Sequence, residues 1–156
     1  MIQTADFTKW LRILLAETFG VADTPEAYFL DSGQSGLIGT IATLSAEVAS
    51  AAPTPEQGTI ASHCGHVLFL LRLFDAYEQG QTPTPDWEGS WSIRSVDEAA
   101  WRALRDELQA AYSAVVADLQ ANDTWPEPRI AAAMTLVAHC AYHVGEIRQR
   151  QLWVGR

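Results

Sequence analysis

Apolar residues recur at three- and four-residue intervals along most of the chain, the spacing of one face of a helix. Between 6 and 19 the stripe is Phe7, Trp10, Leu11, Leu14 and Thr18, which predicts a first helix ended by Gly20. Thr24-Pro25-Glu26 offers a cap followed by proline at the first helical position, so a short turn of helix is expected before Leu30, with Asp31-Ser32-Gly33 as a loop. A second helix is predicted over 37–51, with Leu37, Ile41, Leu44 and Val48 on one face and Pro53-Thr54-Pro55 closing it. A third, over 59–77, turns Ile60, His63, Val67, Leu70, Phe74 and Tyr77 inward and Arg72 and Asp75 outward.

The stretch 80–94 holds Pro83, Pro85, Gly89, Trp87 and Trp91. That composition resists regular structure but supplies large anchors, so an ordered crossover loop is expected. Ser95-Val96-Asp97-Glu98 fits a capping box. The helix behind it has Trp101, Leu104, Leu108, Tyr112, Val115 and Leu119 on its inner face. After a break over 122–128, in which Thr124 and Glu127 are candidate caps, a last helix is predicted over 129–153. No stretch alternates in the manner of a strand, and no repeat is visible. The expectation is all-α: a single domain over 1–156, four long helices in a bundle with one more at the N-terminal side, and a long crossover.

A chain of 156 residues that is 48% hydrophobic can bury one core. Its formal charge of −9 disfavours a surface built for phosphate backbones, so no nucleic-acid partner is expected. Arg12, Glu47 and Arg72 interrupt the apolar runs before they reach the roughly 18–20 residues of a membrane span. Met1-Ile2-Gln3-Thr4-Ala5-Asp6 lacks the basic and apolar regions of an export signal, so a cytoplasmic location is expected. The two cysteines, Cys64 and Cys140, are expected to be reduced and buried, since a cytosolic chain of this length needs no disulfide.

The four histidines, His63, His66, His139 and His143, form two close pairs on helices predicted to face the core. His139 and His143 lie about 40° apart around a helix and His63 and His66 about 60° apart, so each pair shares a face. A lone buried histidine is usually a hydrogen-bonded core residue. Two pairs on two inward faces point instead to imidazoles converging on one divalent ion, with zinc or nickel suited to such a donor set. His139-Cys140-Ala141-Tyr142-His143 lacks the glutamate that zinc peptidases carry after the first histidine, which excludes that class. Cys64 and Cys140 each sit one residue beyond a histidine, about 100° off the ligand face, which favours core packing. Trp87, Trp91 and Trp101 could line a pocket mouth or anchor the crossover, and Tyr142 could meet a substrate or pack a helix.

Thr59-Ile60-Ala61-Ser62-His63-Cys64-Gly65-His66 and Ala138-His139-Cys140-Ala141-Tyr142-His143-Val144-Gly145-Glu146-Ile147-Arg148 resemble the DinB-like superfamily. The most specific part is the His-x-x-x-His-x-Gly-x-Ile pattern of the second segment. The resemblance implies a four-helix bundle, often dimeric, with a histidine triad on a divalent metal. One ligand comes from an early helix and two from the last, which matches His66, His139 and His143. His63 is left open as a fourth ligand, the early ligand itself, or a donor behind the ligands. Glu146 stands where many members carry glutamine, and could orient an imidazole, ligate, or lie in solvent.

Two functions follow. In the first, the ion lowers the pKa of a coordinated water or thiol, as in the low-molecular-weight-thiol transferases or small hydrolases of similar bundles, with a small molecule or thiol as partner. In the second, the ion is structural or sensory in a stress-associated module without turnover. Haem held by paired histidines is a third arrangement, which the colour of the protein would reveal.

Overall fold

The computed structural model describes residues 4–20, 27–30, 35–52, 54 and 57–154. Six helices occur among them: α1 (Thr4–Phe19), α2 (Leu37–Ala42), α3 (Ala46–Ser50), α4 (Ile60–Glu78), α5 (Glu98–Ala121) and α6 (Glu127–Val154). The four long ones form the bundle. Helix α4 packs on α5 and α6, and α1 closes the ring by touching both. The expected turn of helix before Leu30 and the loop over 31–33 fall largely outside the described residues, as do Pro53 and Pro55.

The stripes of α4 and α5 are buried as their spacing predicts, with all six named residues of α5 in the core. Complete burial of side chains such as Leu71, Leu108, Leu119 and Ile147 contributes about 1.5–3 kcal/mol each. The stripe is less faithful in α1 and at the end of α4. Trp10 and Tyr77 are exposed, while Leu15 and Phe19 take core positions. Trp10 sets its ring edge-on against Tyr28, with centroids 5.3 Å apart. Helix α1 stops at Gly20, whose φ of 80° is accessible to glycine and strained for other residues.

The helix expected over 37–51 is broken in two, because the caps at the break come from α5. Ser45 caps α3 by accepting from the Val48 N–H, and the Ala46 N–H donates to Glu98 Oε1 at 2.8 Å. Across the break, Trp101 Nε1 donates to the Leu44 carbonyl (2.8 Å) and Arg105 to that of Ala42 (2.9 Å). Trp101 is therefore a fully buried anchor and not part of a pocket wall among the described residues. Glu98 is spent on α3, so the capping box expected at Ser95 is replaced by Asp97, whose carboxylate accepts from the Ala100 N–H at 2.8 Å. Helix α6 starts earlier than expected. The Pro126 carbonyl takes the Ile130 N–H, which leaves Thr124 two residues short of the cap.

Two polar clusters tie the frame together. The buried Glu17 carboxylate accepts the backbone N–H groups of Tyr28, Phe29 and Leu30 at 2.7–3.0 Å. Burial pushes its pKa up, but these three donors outweigh it and hold the group below the usual carboxylate value. Arg129 of α6 forks onto Glu78 at the end of α4 (2.6–3.0 Å), donates to the carbonyls of Asn122 and Thr124, and lies 4.0 Å over the Trp125 ring.

One helix among the described residues, α6, is long and apolar enough to cross a membrane by length and composition, a candidate that charge interruption alone did not flag. A third of its apolar window is buried in the bundle, and that face carries His143.

Candidate metal centre

The antiparallel pair α4 and α6 carries all four histidines, at the start of α4 and around the middle of α6. The Thr59 hydroxyl accepts from the Ser62 N–H (3.0 Å) and donates to the Arg94 carbonyl (3.0 Å), which ties the start of α4 to the end of the crossover. His63, His66 and His143 are buried and His139 is half-buried.

His66, His139 and His143 each offer a ligand atom, and these atoms lie within 4.8 Å of one another, a group that could hold a metal ion. His66 Nε2 and His139 Nε2 are 3.4 Å apart. Two nitrogens sharing a tetrahedral ion at about 2.0–2.1 Å stand roughly 3.3–3.4 Å from each other, so this pair already has ligand spacing. His143 Nε2 is buried with no hydrogen-bond partner. An orphaned buried nitrogen costs about 1–3 kcal/mol, and coordination would remove that cost. The donor set fits a divalent ion.

The electrostatics agree. Burial lowers the pKa of His63 to about 4, with a further push from Arg150. It lowers His66 to about 4, assisted by His139, and His143 to about 3, assisted by the other three histidines. These imidazoles are therefore neutral at pH 7, the form that coordinates metal.

His63 stands outside the converging three. Its Nδ1 lies 2.8 Å from His143 Nδ1, so it meets the back of the His143 ring. Glu146 is paired with Arg150, which also donates to the Gly58 carbonyl at 2.7 Å. Cys64 and Cys140 are buried free thiols, and burial raises both pKa values, that of Cys140 to about 12. They are core residues without thiolate character.

The crossover covers the centre. Trp91 stacks on His66, with centroids 4.3 Å apart at 19°, and points its ring edge-to-face at His63 and His143. Trp87 is half exposed and contacts Phe69 edge-on at 5.3 Å. Tyr142 is exposed, its ring 5.0 Å from that of His143. A groove of about 1020 Å³ between α4, α5 and the crossover includes Ser90 in its wall but none of the histidines, so cavity size alone would misplace the chemistry.

Ser90 and the Arg129–Glu78 fork were not singled out in the sequence. A serine in a loop carries no pattern of its own, and an arginine and a glutamate far apart in the chain meet only once the helices are antiparallel.

The family model of the DinB superfamily matches residues 30–147, well over half of the chain and the whole histidine constellation. The chain belongs to the DinB superfamily. Neither a curated protein nor a solved structure matches it. Within this superfamily bundle, the all-helical architecture and the three-histidine group agree with the expectations drawn from the two histidine segments.

Proposed function

We propose that this DinB-superfamily protein holds one divalent ion, zinc or nickel, through His66, His139 and His143, and uses it to act on a small molecule as a thiol transferase or small hydrolase. The observation that carries this is the partnerless buried Nε2 of His143 beside two imidazole nitrogens at ligand spacing. A divalent ion held there supplies Lewis acidity, which brings the pKa of a bound water or thiol towards neutrality. Three protein nitrogens leave room for such a group, as catalytic sites do. His63 keeps the His143 ring oriented from behind, and Trp91 shields the centre from water on the crossover side. Glu146 acts at one remove, holding Arg150 against the Gly58 carbonyl.

A second reading is favoured by one observation, the approach of His63 to within 2.8 Å of His143. A small ring movement would offer a fourth imidazole and close the site, making the ion structural or sensory in a module without turnover. The proposal includes two copies associating through α6, where Met134 and Tyr142 are exposed and no charged residue occurs between Ile130 and Gly145. Two chains of charge −9 would meet most readily on such a face. It also includes a cytoplasmic location, in keeping with two unpaired cysteines, and no nucleic-acid or membrane partner.

The test is turnover by zinc- or nickel-loaded protein, with a low-molecular-weight thiol and a model electrophile in one assay and a small ester or amide in the other. Activity that a chelator abolishes and His66→Ala lacks supports the enzyme. Stoichiometric metal without turnover of either substrate, and four protein ligands by X-ray absorption, would support the module.

A further inference from the structure

The crossover approaches the centre through a single turn of 3-10 helix, Gly89–Trp91. Asp86 sets up that turn. Its carboxylate accepts from the Gly89 N–H (2.8 Å) and its carbonyl from the Ser90 N–H (3.1 Å). A Cβ on residue 89 would stand 2.1 Å from the Asp86 carboxylate, so glycine permits the close approach. The turn then delivers two groups to one imidazole. Trp91 covers the face of His66, and Ser90 Oγ lies 2.7 Å from its Nδ1.

The proton count sets the direction of this last bond. A serine hydroxyl has one proton, and Ser90 Oγ donates it to the Trp87 carbonyl at 2.7 Å. Towards His66 the hydroxyl can then only accept, so His66 Nδ1 carries the hydrogen. In a neutral imidazole that leaves Nε2 with its lone pair free. Nε2 is the atom that faces His139 at 3.4 Å. An ordinary core histidine needs no such arrangement, since either tautomer would satisfy one bond.

We infer that Ser90 is a positioning residue for the metal centre: with its own proton committed to the Trp87 carbonyl, it fixes His66 in the Nδ1–H tautomer and so presents Nε2 as a ligand. The metal part of this rests on the proposed centre, but the tautomer does not, and the two can fail separately. The crossover is thereby part of the site, a requirement that the histidine spacing alone does not impose.

The experiment compares wild type with Ser90→Ala and Ser90→Thr. In metal-free protein, long-range 1H–15N correlation spectra of the histidine rings report which nitrogen carries the proton. Wild type and Ser90→Thr should show His66 as Nδ1–H, and Ser90→Ala should lose that tautomer while keeping its helical circular dichroism. Competition titration with zinc should then give a loss of about 10- to 100-fold in affinity for Ser90→Ala, the range seen when a group orienting a ligand is removed, and recovery in Ser90→Thr. An Nε2–H tautomer in wild type, an unchanged His66 in Ser90→Ala, or zinc affinity in Ser90→Ala equal to wild type would each overturn the inference. Wild type that binds neither zinc nor nickel but shows the Ser90-dependent tautomer would sink the proposed function while leaving the tautomer assignment standing.

Discussion

The two ends of the α4/α6 pair both bury polar side chains, and they treat them in opposite ways. At one end, Arg129 spends its guanidinium on the Glu78 carboxylate, two backbone carbonyls and the face of Trp125. At the other, roughly 20 Å along α4 by helical rise, three imidazoles converge and His143 Nε2 has no partner. Buried polar groups are as a rule hydrogen-bonded; every nitrogen of the Arg129 guanidinium follows that rule, whereas the His143 ring follows it at Nδ1 alone. That contrast separates the latch from the centre more reliably than burial does, since His143 is more deeply buried than Arg129.

The comparison breaks most visibly at the latch. Arg129→Ala leaves the Glu78 carboxylate buried without its cation, and the expected loss is about 3–5 kcal/mol, read as a fall in the chemical-denaturation midpoint. Replacing both partners, as Arg129→Met with Glu78→Leu, should recover most of it. At the centre the expectation is reversed. His143→Leu should abolish metal binding yet destabilise metal-free protein by no more than about 1–2 kcal/mol, because the nitrogen it orphans on His63 is partly offset by the unsatisfied Nε2 it removes. Equal destabilisation at the two ends would contradict the distinction.

Acid sharpens it further. Unfolded imidazoles titrate near pH 6.5, whereas folded His63, His66 and His143 titrate near 4, 4 and 3. Between those values the unfolded chain binds more protons, so the stabilising contribution is fully present above about pH 6.5 and is lost as pH falls towards 4. The melting temperature of metal-free wild type should therefore drop between pH 7 and 5, and His143→Leu should drop less steeply. The smallest effect is expected at the exposed Arg72–Glu107 pair, whose side chains are 60% and 50% accessible. Arg72→Ala should cost less than about 1 kcal/mol, and its melting curve serves as the baseline for the others.

Much of the bundle was readable from periodicity, because the buried faces of α4 and α5 are set by local spacing. The break between α2 and α3 was not, since its caps, Glu98, Trp101 and Arg105, lie some fifty or more residues further along the chain. The same holds at the centre. The histidine pairs announce themselves by helical spacing, and the resemblance to the superfamily matched His66 to the early ligand while leaving the part of His63 open. The bond from His63 to His143, the pairing of Glu146 with Arg150, and the role of Ser90 depend on which helix faces which. Glu17 is hidden for a related reason. A glutamate beside a threonine and a phenylalanine in α1 looks like a solvent residue until the loop at 28–30 folds its N–H groups over the carboxylate.

The most direct test of the central claim is the metal content of tag-free protein by elemental analysis, for wild type and for His66→Ala, His143→Ala and His63→Ala. Wild type should hold near one equivalent of zinc or nickel, the first two variants should lose it, and His63→Ala should retain it at weakened affinity. Well-folded wild type that takes up neither ion would contradict the claim, and the histidines would then be core residues.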